Sequence, residues 1–174
     1  MLLTAGLGSD GYATLINGLS IAFSVDFWIV NLVVGLSLVA IAWTRGLTPG
    51  IGSVLQPVVV GLVVSAVINL LAEPEYWWAQ AALAIMAIPV LALGVAGYLA
   101  ADAGAGPLEA AAIVLNPPIP FRWSYSVVQG GGAIAGWACG AAIGPGTLVT
   151  IVCVGPLVSW LSHTVPALSA DSTV

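Results

Sequence analysis

Residues 77–100 read WWAQAALAIMAIPVLALGVAGYLA, a run of 24 residues without a charged side chain. A run of this length can cross the hydrocarbon core of a bilayer as a helix, which takes about 20 largely apolar residues. Its two tryptophans stand at one end, and indole rings favour the headgroup region of a membrane. The stretch therefore predicts a transmembrane helix and indicates the fold class of the whole chain.

The composition extends this prediction to all 174 residues. Charged residues make up 5% of the chain, hydrophobic residues make up 60%, and the mean hydropathy is +1.13. A soluble domain carries about 25% charged residues, so the composition excludes a soluble fold. It predicts a single all-α membrane domain over residues 1–174. The net charge of −5, with two basic residues, also excludes nucleic acid as a partner, because phosphate neutralisation needs Lys and Arg.

Apolar stretches divide the chain into about five transmembrane helices. They are Val25–Thr44, Gly52–Leu71, Trp77–Ala100, Tyr125–Ile143 and Thr147–Leu161. Two further apolar segments, Gly11–Phe23 and Pro107–Leu115, are too short to span, and each follows a glycine-rich break. We expect them to be either re-entrant half-helices or interfacial helices, because irregular backbone at membrane depth needs protein or water as a partner. Trp137 lies away from the predicted span ends, and we expect it to pack inside.

Two motifs recur in the same order in both halves of the chain. Ala5–Asp10 aligns with Ala103–Leu108 at an offset of 98 (Gly106 minus Gly8). Gly50-Ile-Gly-Ser53 aligns with Gly144-Pro-Gly-Thr147 at an offset of 94 (Gly144 minus Gly50). Chance similarity between Gly- and Ala-rich segments is the alternative explanation. We favour a structural repeat.

The repeat predicts the architecture of the domain. Repeat one covers about residues 1–72 and repeat two about residues 77–164, followed by a short tail, 165–174. The second half opens with a full span before its break and the first half does not, so the first helix of repeat one is expected to be missing. Units with an odd number of spans insert in opposite orientations, and such inverted repeats are common in secondary transporters.

Two arginines set the expected topology. The positive-inside rule places Arg45 and Arg122 in the cytoplasm. Both arginines satisfy the rule only if Pro107–Leu115 does not cross the membrane. One topology therefore fits both arginines and the short segment together.

Candidate binding residues lie at the breaks and at the Gly-x-Gly-Ser/Thr turns. A helix N-terminus presents free N–H groups that suit an anion or a carbonyl oxygen, although the turns could equally be tight connections between spans. Acids within membrane segments are costly and usually functional, whereas acids at headgroup level are simply solvated. The candidate substrate- or ion-binding residues are Asp10, Asn17, Gly50, Gly52, Ser53, Asp102, Glu109, Gly144, Gly146 and Thr147.

A glycine series in the second half predicts close helix packing. Gly132, Gly136, Gly140 and Gly144 recur every four residues, which would place them on one face of a helix. Small residues on such a face let a second helix approach closely. The second helix belongs either to the same chain or to a partner.

The remaining reactive side chains favour neither a metal site nor an enzyme. Cys139 and Cys153 lie in apolar segments without the spacing of metal ligands, and His163 has no second ligand near it in sequence. No nucleophile–base motif is present. We expect no cofactor, no metal and no catalytic residue.

The glycine motifs resemble those of the bacterial YczE/YyaS/YitT group of small multi-pass membrane proteins. The matching residues are Leu7–Gly11, Gly104–Glu109, Gly144–Thr147 with Gly155-Pro156, and Arg122 before the penultimate span. The resemblance covers about residues 5–161. It differs in the missing N-terminal helix, in the absence of Pro-Trp after Gly8, and in Ser126 where the group has an acid. It implies a bacterial inner-membrane protein and little about activity, since the group's biochemical activity is not well established.

These observations lead to two functional hypotheses. The first is a small transporter or permease that moves an unidentified small solute, with Glu109 or Asp10 as a proton- or cation-coupling acid. The alternative is a membrane assembly protein or scaffold that binds a partner through its glycine-rich helix face. The expected partners are membrane lipids, the solute, and a second copy of the chain or another membrane protein.

Overall fold

A computed structural model of the chain describes residues 8–70, 76–101, 104–115 and 118–165. Within these ranges the protein is all-helical and contains no strand. The helices are α1 (Gly11–Phe23), α2 (Phe27–Thr44), α3 (Ile51–Leu70), α4 (Trp77–Ala100), α5 (Pro107–Val114), α6 (Phe121–Ala138) and α7 (Pro145–Thr164). The candidate residue Asp102 and the predicted tail, 165–174 apart from Val165, lie outside the described residues.

Each predicted span and each short segment corresponds to one of these helices. The largest difference is in α6, which covers Phe121–Ala138 rather than the predicted Tyr125–Ile143. Pro120 directly precedes its first turn, and the backbone turns out of the helix at Gly140, which has a φ of 100°. Glycine adopts this left-handed conformation without the steric cost that other residues meet. Hydropathy did not reveal this end, because the residues after it are also apolar.

Among the described residues, three helices are long and apolar enough to cross a membrane: Phe27–Thr44, Trp78–Ala100 and Pro145–Thr164. Large apolar side chains cover the outside of the bundle, among them Val33 on α2, Leu93 on α4 and Leu148 on α7. Trp137 is also on this surface, 64% exposed, so the expectation that it packs inside is wrong. A surface of this kind requires lipid as its solvent, and we treat the chain as a membrane protein. The full span count stays a prediction.

The helices form two antiparallel pairs. In the first pair, α2 and α3, the Asn31 side-chain amide donates a 2.6 Å hydrogen bond to the Pro57 carbonyl oxygen. In the second pair, α6 and α7, the Ser126 hydroxyl donates a 2.7 Å bond to the Ile151 carbonyl oxygen. In addition, α4 packs along α7, and the main hydrophobic core lies between α4, α5, α6 and α7.

The short helix α1 packs along α6 and runs parallel to it. Gly11 at its start lies against the Gln129 backbone, and Gly18 lies against Gly136. The two backbones approach so closely because Gly132 and Gly136 of α6 also carry no side chain: Gly132 faces Gly11, and Gly136 faces Thr14. This is the most extensive contact between two helices of the structure.

The four-residue glycine series does not continue along this helix face. Because α6 ends at Ala138, Gly140 belongs to the turn that follows it, and Gly144 is the N-cap of α7. Of the four glycines, Gly132 and Gly136 lie on α6, and both contact α1 of the same chain.

The packing also fixes relative directions. Since α1 leads into α2 through a short turn, where the Ser20 hydroxyl donates to the Val25 carbonyl oxygen, α1 and α2 are antiparallel. Consequently α2 and α6 run in opposite directions. Arg45, at the end of α2, and Arg122, at the start of α6, are both exposed and lie at the same end of the bundle.

Candidate functional site

Each glycine-rich break packs against the Gly-x-Gly-Ser/Thr turn of the other half of the chain. Gly8, with a φ of 92°, lies against Gly144 and the hydroxyl of Thr147. Gly104, with a φ of 99°, lies against Gly50 and the hydroxyl of Ser53. A side chain at either break would collide with these groups. The structure thus brings together the breaks and the turns that sequence analysis had connected only by their order.

The geometry of the breaks also corrects their alignment. In the described parts of the two breaks, the glycines with a positive φ are Gly8 and Gly104, which differ by 96 (104 minus 8), not by 98. Asp10 and Gly106, the N-caps of α1 and α5, follow at the same interval. Sequence similarity had matched Gly8 with Gly106, because a row of alternating glycines aligns equally well two residues out of register.

The hydroxyls of the two turns have different surroundings. The Ser53 hydroxyl donates a 2.6 Å hydrogen bond to the carbonyl oxygen of Ala105 and accepts a 3.3 Å bond from the Gly50 amide. The Thr147 hydroxyl is fully buried and has no hydrogen-bond partner among the described residues. Ser53 therefore ties its turn to the break opposite, whereas Thr147 does not. Neither residue is itself the N-cap of the helix that it begins.

The breaks lie at the level of the helix midpoints. The first residue of α1, Gly11, contacts Gln129 at the centre of α6. The first residue of α5, Pro107, contacts Gly35 at the centre of α2, together with the hydroxyl of Tyr12. Both short helices thus begin in the interior of the bundle and are not flat on its ends.

A cluster of one acid and three tyrosines occupies this interior, and we call Glu109, Tyr12, Tyr98 and Tyr125 the Glu109 cluster. Glu109 lies in the first turn of α5, is 3% exposed, and its Oε2 atom has no hydrogen-bond partner among the described residues. Tyr98 from α4 and Tyr125 from α6 direct their hydroxyls towards this carboxyl group. Tyr12 from α1 is within electrostatic range of it.

Polar groups continue from the cluster towards α1. The Gln129 side-chain oxygen accepts a 3.1 Å bond from the Tyr12 amide, while its Nε2 atom is buried without a partner among the described residues. Asp10 caps α1 by accepting a 3.0 Å bond from the Ala13 amide, and it is within electrostatic range of Glu109. Two acids and three tyrosines therefore share one interior region.

The other predicted site residues are not part of this cluster. Asn17 is half-buried on α1, about two turns beyond Asp10. Gly52 and Gly146 lie in the first turns of α3 and α7, within the turns that contact the breaks.

The tyrosines are the functional candidates that sequence analysis missed. Three of the four tyrosines of the chain belong to the Glu109 cluster. Each lies at or within two residues of an end of a predicted apolar segment, so its position in the sequence did not indicate an interior site. Gln129 is also absent from the predicted site residues. The described residues contain no group of three His, Cys, Asp or Glu side chains that could hold a metal ion.

Comparisons with known proteins were made for the whole chain. A family model described as a family of unknown function, DUF6198, matches residues 1–163. A Haemophilus influenzae protein described as an uncharacterized protein is 23% identical over 172 residues, which is 97% of this chain and 78% of that protein. No solved structure matches the chain.

Proposed function

We propose that this chain, which belongs to the DUF6198 family of unknown function, is a small integral membrane transporter or permease. Its solute would bind where the two breaks, the two turns and the Glu109 cluster meet. The solute itself is unidentified, and transport would be coupled to a proton or another cation. The expected inner-membrane location, the homo-oligomer and the relation to the YczE/YyaS/YitT group are part of the same proposal.

The buried carboxyl group of Glu109, whose Oε2 atom has no hydrogen-bond partner among the described residues, carries the proposal. Removing an ionised carboxylate from water costs several kcal/mol unless it is paired or hydrogen-bonded. A buried acid with an oxygen atom that lacks a hydrogen-bond partner therefore lowers the stability of the folded protein. Such acids inside membrane proteins are usually functional. Its position at the start of a short interior helix is the arrangement in which transporters bind ions and solutes.

The helix directions favour an inverted repeat as the framework of this site. Helices α1, α2 and α3 correspond in order to α5, α6 and α7, because in each set a short helix is followed by two longer ones. Helix α2 is antiparallel to α6. Each break contacts the turn of the other half, so the site would lie at the interface between repeats. Under this hypothesis, α4 has no counterpart among the described residues.

The scaffold alternative is less favoured by the packing. Gly132 and Gly136 lie under α1 of the same chain, so this glycine face is not open to a partner. A scaffold would have to use a different surface.

The test of transport requires no knowledge of the solute. A transporter must open its interior to each side of the membrane in turn. We would replace Cys139 and Cys153, introduce Ala105→Cys at the second break, and treat right-side-out and inside-out vesicles with a membrane-impermeant thiol reagent. We expect labelling of Cys at position 105 from both sides.

A matched control is Thr44→Cys at the exposed end of α2, which should label from one side. Labelling of both positions from one side alone, or no labelling at position 105 in a folded protein, would reject alternating access and favour a scaffold.

A further inference from the structure

The charges around the Glu109 cluster are unbalanced. The groups facing Glu109 are Asp10 and Tyr12 from α1, Tyr98 from α4 and Tyr125 from α6. None of them carries a positive charge. The sequence contains no lysine, and both arginines are exposed at one end of the bundle. His163 is exposed near the end of α7.

An ionised Glu109 thus has no cationic partner among the described residues. A buried carboxyl group without such a partner is expected to hold a proton. Ionisation becomes favourable only when a positive charge is brought close to it. A cation that pairs with an ionised Glu109 therefore has to come from outside the described part of the chain.

We propose that Glu109 binds a monovalent nitrogen cation of the ammonium type, and that it carries a proton when the cation is absent. This inference rests on the proposed function and specifies its solute class. Binding is an exchange: the cation pairs with the Glu109 carboxylate, and the proton released from Oε2 passes to water. The charge of the site is the same before and after the exchange.

The neighbouring groups favour an ammonium ion over a metal ion. Tyrosine can meet a cation with its hydroxyl oxygen, which accepts N–H donors, or with the face of its ring. Calcium takes six to eight oxygen ligands, and the described residues contain no group of three acidic, His or Cys side chains. One available carboxylate also matches one positive charge.

The exchange can be measured on the purified protein in detergent. Methylammonium chloride is added to the ligand-free protein in weakly buffered solution near neutral pH, and a pH indicator reports protons released. We choose methylammonium because Glu109 is enclosed, so a small cation has the easiest entry. We expect saturable release of about one proton per protein. Detergent solution avoids the permeation of neutral amine that would obscure the result in vesicles.

Three variants make the result specific. Glu109→Gln should abolish the release, and Glu109→Asp, which retains the carboxyl group, should restore it at higher methylammonium concentration. Asp26→Asn is the matched control, because Asp26 is an exposed acid before α2 and should not affect the release. Thermal unfolding of each variant checks that it is folded.

Each outcome bears on the inference separately from transport. Equal release by sodium or potassium chloride would overturn the nitrogen-cation class, and release that persists in Glu109→Gln would overturn the residue assignment. No release from folded wild-type protein would overturn the inference as a whole. If Cys at position 105 still labels from both sides, the transporter proposal stands with a different solute.

Discussion

The contact between α1 and α6 can be tested by adding a single methyl group. A Cβ on Gly136 would collide with the Thr14 carbonyl group and would lie 2.7 Å from the Leu15 amide nitrogen. Ordinary contact begins at 3.4 Å, so the two helices must separate by at least 0.7 Å. The colliding atoms belong to backbone, which cannot rotate away as a flexible side chain could.

The cost of Gly136→Ala follows from this separation. Overpacking of a tight interface costs about 1–3 kcal/mol, and loss of the Tyr12 amide bond to Gln129 adds about 1 kcal/mol. We expect a loss of roughly 2–4 kcal/mol in the free energy of unfolding. Gly131 is the matched control on the same helix, because a Cβ there meets nothing within 4 Å. Gly131→Ala should gain about 0.5–1 kcal/mol by restricting the unfolded chain.

The measurement is equilibrium unfolding in mixed micelles with increasing fraction of denaturing detergent, followed by tryptophan fluorescence. The two alanine variants should differ by roughly 3–5 kcal/mol, with Gly136→Ala the less stable. If Gly136→Ala is as stable as Gly131→Ala, α1 does not lie against α6, and the interior position of the first break is wrong.

The same unfolding assay checks three further substitutions. Ser53→Ala leaves the Ala105 carbonyl without its hydroxyl donor and should cost about 1–2 kcal/mol. Thr147→Val removes a buried hydroxyl that has no partner among the described residues, and it should leave the free energy of unfolding unchanged or raise it by about 1 kcal/mol. A decrease in the free energy of unfolding would show that the hydroxyl has a hydrogen-bond partner in the folded protein. Asn31→Leu removes the bond to the Pro57 carbonyl and should cost about 0.6–2 kcal/mol; an unchanged stability would contradict that contact.

Agreement between the predicted and observed helices is closest where a local signal marks the helix end. Gly11–Phe23 was predicted with its observed ends, because a glycine-rich break precedes it; the structure adds that Asp10 is its N-cap. The prediction for α6 failed at both ends, because its limits depend on Pro120 and on the left-handed turn at Gly140 within an apolar sequence. Hydropathy measures the preference for lipid, not the point at which a helix ends.

The candidate site was predicted in part. Glu109, Asp10, Ser53 and Thr147 all lie at the breaks or turns, as their neighbouring glycines indicated. The tyrosines were missed, because a tyrosine in an apolar helix has no sequence signal that distinguishes packing from binding. Each of the three comes from a different helix, so only folding brings them to one carboxyl group.

The sequence alone determined that most of the protein's surface contacts lipid and that its chain forms helices. With 5% charged residues, lipid is required around most of the surface, and in lipid the backbone must satisfy its hydrogen bonds within helices. Tertiary structure alone decided that α1 covers the glycines of α6, that each break meets the turn of the other half, and that Glu109 has no cationic partner among the described residues. Such contacts join residues from 52 (Ser53 to Ala105) to 136 (Gly8 to Gly144) positions apart. They depend on the relative directions and depths of helices, which apolar residues facing lipid do not encode.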